Sequence, residues 1–206
     1  MRAAVAAGVR DDRVLEALRA VPRAAFVPAD LVHRAYVDAP LPIPHGQVTT
    51  QPSLVARMVE AARVRDSDTV LEIGTGYGFQ TAVLAHLARR VYSIERHADI
   101  ARTAAENLRA LPHVEVVVGD GSVGLPDHAP YGAIVVSAAY LSVPPPLARQ
   151  LAEGGRLVQP IGPGGAEDVR IFTKRDGRLV DEGSVTGAHF VRLYGEHGFP
   201  PGEAPD

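Results

Sequence analysis

Three carboxylates and three alternating glycines stand where chemistry on a nucleotide-like ligand would need them. In Val70-Leu71-Glu72-Ile73-Gly74-Thr75-Gly76-Tyr77-Gly78-Phe79-Gln80 an apolar run ends around Glu72 and opens into glycines at every second position. Glycine lets a loop approach a bound molecule closely, and amides at the start of a following helix face such a ligand. Glu72, Gly74, Thr75, Gly76, Tyr77 and Gly78 are therefore candidate contacts. A second apolar run, Val91-Tyr92-Ser93-Ile94-Glu95, ends in a carboxylate about twenty residues past the first glycine, where an acceptor can hold a ribose diol. Glu95 is the expected ribose ligand. A third run, Val114-Glu115-Val116-Val117-Val118, leads into Gly119-Asp120-Gly121, which offers Asp120 as an acceptor for an adenine amino group, with Gly121 beside it.

The glycine spacing separates two ligand classes. A pyrophosphate-binding turn reads Gly-x-Gly-x-x-Gly, and here Phe79 occupies the place of its third glycine. S-adenosylmethionine suits Glu-x-Gly-x-Gly-x-Gly better than NAD, which makes a dehydrogenase the weakest reading. A purely structural turn would explain the glycines alone. Two acidic strand ends in register weigh against that explanation.

The elements that must position these residues alternate strand and helix. Helical patterns run from Gln80 to Leu87, from Asp99 to Leu111 and from about Pro146 to Glu153. Further strands are expected at Ala133-Ile134-Val135-Val136-Ser137 and Gly155-Arg156-Leu157-Val158-Gln159-Pro160. Continuous apolar strands between helices imply a mostly parallel sheet covered on both faces, an α/β Rossmann-like fold with ligands at the carboxyl strand ends. Asp176-Gly177, between two strand-like runs, signals an antiparallel hairpin, and residues 189–194 are expected to add a last strand.

Upstream, Asp11 or Asp12 can cap a helix that Pro22 ends, and a short helix is expected over residues 30–36. Residues 38–46 are too proline-rich for helix and must be extended. Pro52 is placed to start a helix carrying Leu54, Val55, Met58, Val59 and Ala62. Thr49 and Thr50 precede that start, so helix capping is an alternative to a chemical role, above all for Thr49.

The 206 residues suffice for one domain, or one domain with an N-terminal elaboration, and 20 glycines and 17 prolines are dispersed. A net charge of −3 without a basic block argues against nucleic acid as a partner. No cysteine is present, so thiolate metal sites and disulfides are excluded, and no metal is expected. No apolar stretch is long enough to span a membrane, and no leader pattern is visible, so a cytoplasmic protein is expected.

Several segments together resemble the protein L-isoaspartyl (D-aspartyl) O-methyltransferases. They include Phe26-Val27-Pro28, Ala35-Tyr36-Val37-Asp38, Pro40-Leu41-Pro42-Ile43, Gly46-Gln47, Gln51-Pro52, Tyr92-Ser93-Ile94-Glu95-Arg96, Gly154-Gly155-Arg156-Leu157-Val158 and Phe190-Val191. The glycine loop would fit many methyltransferases, whereas the stretch from Pro40 to Pro52 is far more specific.

The resemblance implies a seven-stranded fold in which residues 1–50 cover the substrate, 51–197 form the methyltransferase domain and 198–206 are a flexible tail. It also implies methylation, from S-adenosylmethionine, of the free α-carboxylate of isoaspartyl residues, initiating repair through a succinimide. Thr50 then lies at the active site, while Gln47, Val48, Thr49, Arg96 and Tyr194 approach the cofactor. The implied partners are isoaspartyl proteins or peptides, and the implied state is a monomer.

Departures from the family pattern are Pro44 for a more usual glycine, Val48-Thr49-Thr50 for Thr-Ile-Ser, and Arg192 for a proline. Arg192 could meet a substrate carboxylate or be an exposed strand arginine, and His45 and His189 are expected to be structural or surface histidines rather than catalytic bases. The alternatives are an aspartyl O-methyltransferase acting on a dedicated biosynthetic peptide and a non-catalytic domain that binds the cofactor.

Overall fold

The structure of the protein, a computed structural model, describes residues 1–200. In chain order the elements are α1 (Arg2–Ala6), α2 (Asp12–Ala20), β1 (Leu41–Pro42), β2 (Val48–Thr49), α3 (Pro52–Ala62), β3 (Thr69–Ile73), α4 (Phe79–Ala85), β4 (Arg90–Glu95), α5 (Ala98–Asn107), β5 (Val114–Val118), β6 (Tyr131–Val136), α6 (Pro145–Gln150), β7 (Leu151–Ile161), β8 (Glu167–Arg175) and β9 (Arg178–Ala188). Seven strands form one sheet in the order β5-β4-β3-β6-β7-β8-β9. The first five in that order are parallel, and β8 and β9 join as an antiparallel pair. The fold is thus the mostly parallel sheet with a C-terminal hairpin that the strand pattern predicts.

Successive strand residues divide between two cores. Val70, Val91, Ala133, Val135 and Val158 pack with residues of α1 to α4, while Leu71, Ile73, Tyr92, Ile94 and Leu157 face Leu147 of α6 on the other side. A strand buried on both faces has no polar side to show, which is why these segments read as unbroken apolar runs. The hairpin turn takes Asp176 and Gly177 to φ of 50° and 73°, the left-handed pair that a two-residue connection requires.

Asp11 accepts from Arg13 N and caps α2, and Pro52 opens α3 as expected. The capping role weighed for Thr49 falls instead to Asp38, whose Oδ1 accepts from Ser53 N at 2.9 Å. The helix expected over residues 30–36 is a 3-10 turn at Ala29–Arg34, and α1 was not anticipated. The helix expected to reach Glu153 stops at Gln150 because Leu151 already pairs with Tyr131. The proline-rich stretch is extended and folds back as a small ribbon of β1 and β2.

The expected strand at residues 189–194 is not a strand. β9 runs on to Ala188 through a polar, glycine-containing sequence that apolar patterning does not flag, and the chain then crosses the strand ends. There Ala139 N donates to Val191 O and Leu193 N to Ala139 O, each at 2.7 Å. The start of the expected loose tail is also tied down: Phe199 N donates to Leu193 O at 2.8 Å, and its ring meets Tyr140 edge-on at 5.1 Å. The rest of that tail, residues 201–206, lies outside the described residues.

Candidate active site

The carboxyl ends of β3, β4 and β6 open on a cavity of about 590 Å³. The glycine loop forms its floor, the ribbon and the start of α3 form one wall, and residues 186–194 form the other. Gly74 and Gly76 hold φ of 92° and 54°, and a Cβ on Gly74 would come within 3.4 Å of Ser137 in the same cavity. The loop therefore needs glycine both for its backbone and for the room it leaves.

Of the residues expected to bind a cofactor, Gln47, Val48, Thr49, Thr50, Gly74, Thr75, Gly76, Tyr77, Glu95, Arg96, Gly121 and Tyr194 all line this cavity. Three others do not. Gly78 turns toward α5, where an added Cβ would fall 2.8 Å from Leu108. Glu72 is fully buried beneath the loop, its carboxylate accepting from Ser93 Oγ at 2.6 Å, Thr81 Oγ1 at 2.5 Å and Gln80 Nε2 at 2.9 Å. Asp120 ties down the C-terminal segment, accepting from Ser122 N at 2.8 Å, Ser122 Oγ at 2.6 Å and Glu196 N at 2.7 Å. Burial works against the charge of Asp120, but these hydrogen bonds outweigh it and lower its pKa. Three of its roughly four lone-pair positions are thereby taken, so anchoring is its main task.

Glu95 keeps capacity for a ligand. Its Oε2 accepts from Gly76 N at 3.0 Å and its Oε1 from His97 N at 3.1 Å, leaving each oxygen one further lone pair on a residue that lines the cavity. Gln80 supplies a second acceptor. Its amide nitrogen donates to Glu72 and to Ser137 Oγ, both at 2.9 Å, and its oxygen is buried without a hydrogen-bond partner among the described residues. A buried acceptor left empty is costly, so an orphaned oxygen on a cavity residue fits a ligand that brings a donor, such as an ammonium group. Diol acceptor, ammonium acceptor and glycine floor together match the parts of an amino-acid nucleoside.

Thr50 is placed by a residue that sequence patterning did not single out. Arg23 is 1 % exposed, and its guanidinium donates to the carbonyls of Ala35 (2.9 Å), Val37 (3.1 Å), Ala39 (3.1 Å), Thr49 (3.3 Å) and Thr50 (3.0 Å). Burial lowers its pKa to about 10, opposed by Asp38, so it stays charged at neutral pH. The Thr50 hydroxyl takes no partner among the described residues and is available at the cavity wall.

The tip of the ribbon is fastened separately. His45 Nε2 meets Asp99 Oδ2 at 2.9 Å and stacks on His97 with centroids 4.3 Å apart. Hydrogen bonding by His45 lowers the pKa of Asp99. On the opposite wall Arg96 lies over the Tyr194 ring at 4.8 Å, and Arg192 lies over Phe199 at 4.8 Å while donating to Pro163 O at 2.9 Å.

Comparison with known proteins decides the family. The family pattern of protein-L-isoaspartate(D-aspartate) O-methyltransferase matches residues 1–198. The chain is 50% identical over 196 residues to the protein-L-isoaspartate O-methyltransferase of Methanoculleus marisnigri, covering 94% of this chain and 89% of that one. It belongs to that family. The relative from Koribacter versatilis is 46% identical over 94% of this chain and 88% of its own. A solved protein-L-isoaspartate O-methyltransferase, 30% identical, superposes with a TM-score of 0.81 over 93% of this chain, which spans 63% of that one. A Plasmodium falciparum structure, 21% identical with a TM-score of 0.77 over 91% of this chain and 93% of its own, shares the fold.

For this O-methyltransferase the residues that sequence reasoning missed are Arg23, Gln80 and Ser137. Arg23 follows Pro22 and precedes Phe26-Val27-Pro28, a signal of a turn but not of what the turn holds. Gln80 and Ser137 sit at the first turn of α4 and just past β6, places that a stricter reading of strand ends could have flagged.

Proposed function

We propose that the protein transfers the methyl group of S-adenosylmethionine to the free α-carboxylate of L-isoaspartyl residues in damaged proteins or peptides, from which succinimide closure and repair follow. The observation that carries this reading is that one cavity joins Thr50 to the glycine loop and Glu95. Glu95 would hold the ribose hydroxyls, and the Gln80 oxygen would accept from the ammonium. The bound cofactor supplies a methyl group already activated by sulfonium charge.

What remains for the chain is alignment and exclusion of water. A free α-carboxylate, which ordinarily titrates at about 3.5 to 4, is ionised at neutral pH, so no base is required of His45 or His189. Thr50, its backbone fixed by Arg23, would donate to one carboxylate oxygen and aim the other at the methyl carbon. With both substrates bound the two walls would keep water from the reacting atoms, and such positioning supplies several kcal/mol of barrier lowering. The Thr50 side chain retains the hydroxyl and adds a methyl beside it.

On the same reading residues 1–50 cover the substrate and 51–197 carry the chemistry, with the N-terminal helices packed into the core they share with the sheet. The working form is a monomer in the cytoplasm, with peptides and not nucleic acid as its partners. Two peptides differing only in isoaspartate or aspartate at one position test the assignment, with labelled S-adenosylmethionine as donor. Label is expected in the first alone. Equal labelling would favour an aspartyl methyltransferase, and no labelling a binding domain.

A further inference from the structure

Overall the chain is acidic, yet Glu95 is the sole carboxylate among the described residues lining the cavity, against Arg57, Arg96 and Arg192. Arg96 and Arg192 lie over the rings of Tyr194 and Phe199. Arg57 is held differently. It projects from α3 one turn beyond Ser53, and its Nη2 donates to Val185 O on β9, beside Thr186 and Gly187 of the cavity wall.

β9 is five strands from β4 in the sheet, so at about 4.8 Å per strand the Arg57 and Glu95 ends lie on the order of 24 Å apart. A nucleoside held at Glu95 leaves the Arg57 end to the second substrate. The acidic groups around that end are committed elsewhere. Glu60, on the same helix, accepts from Arg10 N at 2.6 Å and Asp11 N at 2.7 Å. Glu167 accepts from Ala166 N at 2.9 Å and Phe190 N at 2.7 Å, while Asp168 and Asp181 pair with Arg170 at 2.8 Å. No carboxylate pairs with Arg57 among the described residues.

We infer that Arg57 is a specificity-determining residue that favours isoaspartyl peptides carrying an acidic side chain within a few residues of the damaged site and disfavours lysine there. This rests on the proposed function. A guanidinium fixed by one carbonyl still presents most of its five donors, and its fork matches a carboxylate.

Three isoaspartyl peptides that differ only in glutamate, glutamine or lysine beside the isoaspartate test it by steady-state methylation. The wild-type KM is expected to be about three- to tenfold lower for the glutamate peptide than for the glutamine peptide, and highest for lysine. In R57Q that ratio falls to about one, and in R57E the order of glutamate and lysine reverses, which a general folding defect would not produce. An unchanged ratio in R57Q overturns the assignment, as does an equal rise in KM for all three peptides, which would place Arg57 on the isoaspartyl carboxylate itself. Equal KM values in the wild type overturn the Arg57 role alone. Methylation of none of the peptides overturns the functional reading, and this inference with it.

Discussion

Glu72 has no contact with solvent, and burial raises its pKa from 4.5 to about 7 despite hydrogen bonds from Ser93, Thr81 and Gln80, with the charge of Glu95 adding to the rise. Between those two values the folded protein holds a proton that the unfolded chain has released. Stability therefore falls as pH rises through that window, and above about 7 the full cost of ionising Glu72, on the order of 3 kcal/mol, is present. Glu72→Gln cannot ionise, so its thermal midpoint should change less than the wild type's between pH 5 and 7.5. Parallel profiles in calorimetry would mean that Glu72 does not titrate there. Its position was only half legible in the sequence. The strand end was evident, but whether the carboxylate turns toward a ligand or under the loop is decided by Ser93, opposite it on β4, and by Gln80 and Thr81 on α4. The position of Glu95 at the cavity, by contrast, was readable, since the next strand's end falls beside the loop wherever strand and helix alternate.

Among the elements, the ribbon of β1 and β2 depends most on distant support. It has two short strands, is joined to the body at Arg23 and Asp99, and carries Thr50 at its exit. Prolines in residues 38–46 announced an extended cover, yet nothing local could announce that the carbonyls of Ala35, Val37, Ala39, Thr49 and Thr50 meet at one guanidinium. Nη1 and Nη2 share the five acceptors between their four N–H groups, which exceeds what the three donors of an ammonium can serve. Arg23→Lys should therefore leave carbonyls unpaired, costing about 3 kcal/mol, or roughly 6 to 12 °C in Tm. Below that midpoint, turnover on an isoaspartyl peptide should drop by about tenfold while cofactor affinity in calorimetry changes much less, because Arg23 bonds neither Glu95 nor the glycine loop and meets that side only at the Phe79 ring, 5.7 Å away. Loss of both in equal measure would make Arg23 a general core residue.

The whole molecule brings distant sequence to one opening: the ribbon from the first quarter, the loop and Glu95 from the middle, and residues 186–194 from near the end. The five parallel strands were legible because burial on both faces leaves an apolar signature. The crossing at residues 189–194 was not, because a single isolated bridge, from Arg192 to Ala139, leaves no periodicity. A ligand that bridges such parts binds the folded chain alone and must raise its stability. At a hundred times its Kd the cofactor should add about 2.7 kcal/mol, or roughly 5 to 11 °C in Tm for a domain of this size. Glu95→Ala removes the proposed diol acceptor and should weaken binding by about 1 to 3 kcal/mol. At the same cofactor concentration that variant should lose about a third to nine-tenths of the increment. The apo variant will itself melt lower, since Gly76 N and His97 N lose their acceptor, so the increment is the quantity to compare. Equal increments in the two proteins would remove Glu95 from the cofactor site and leave it as a clasp for the glycine loop.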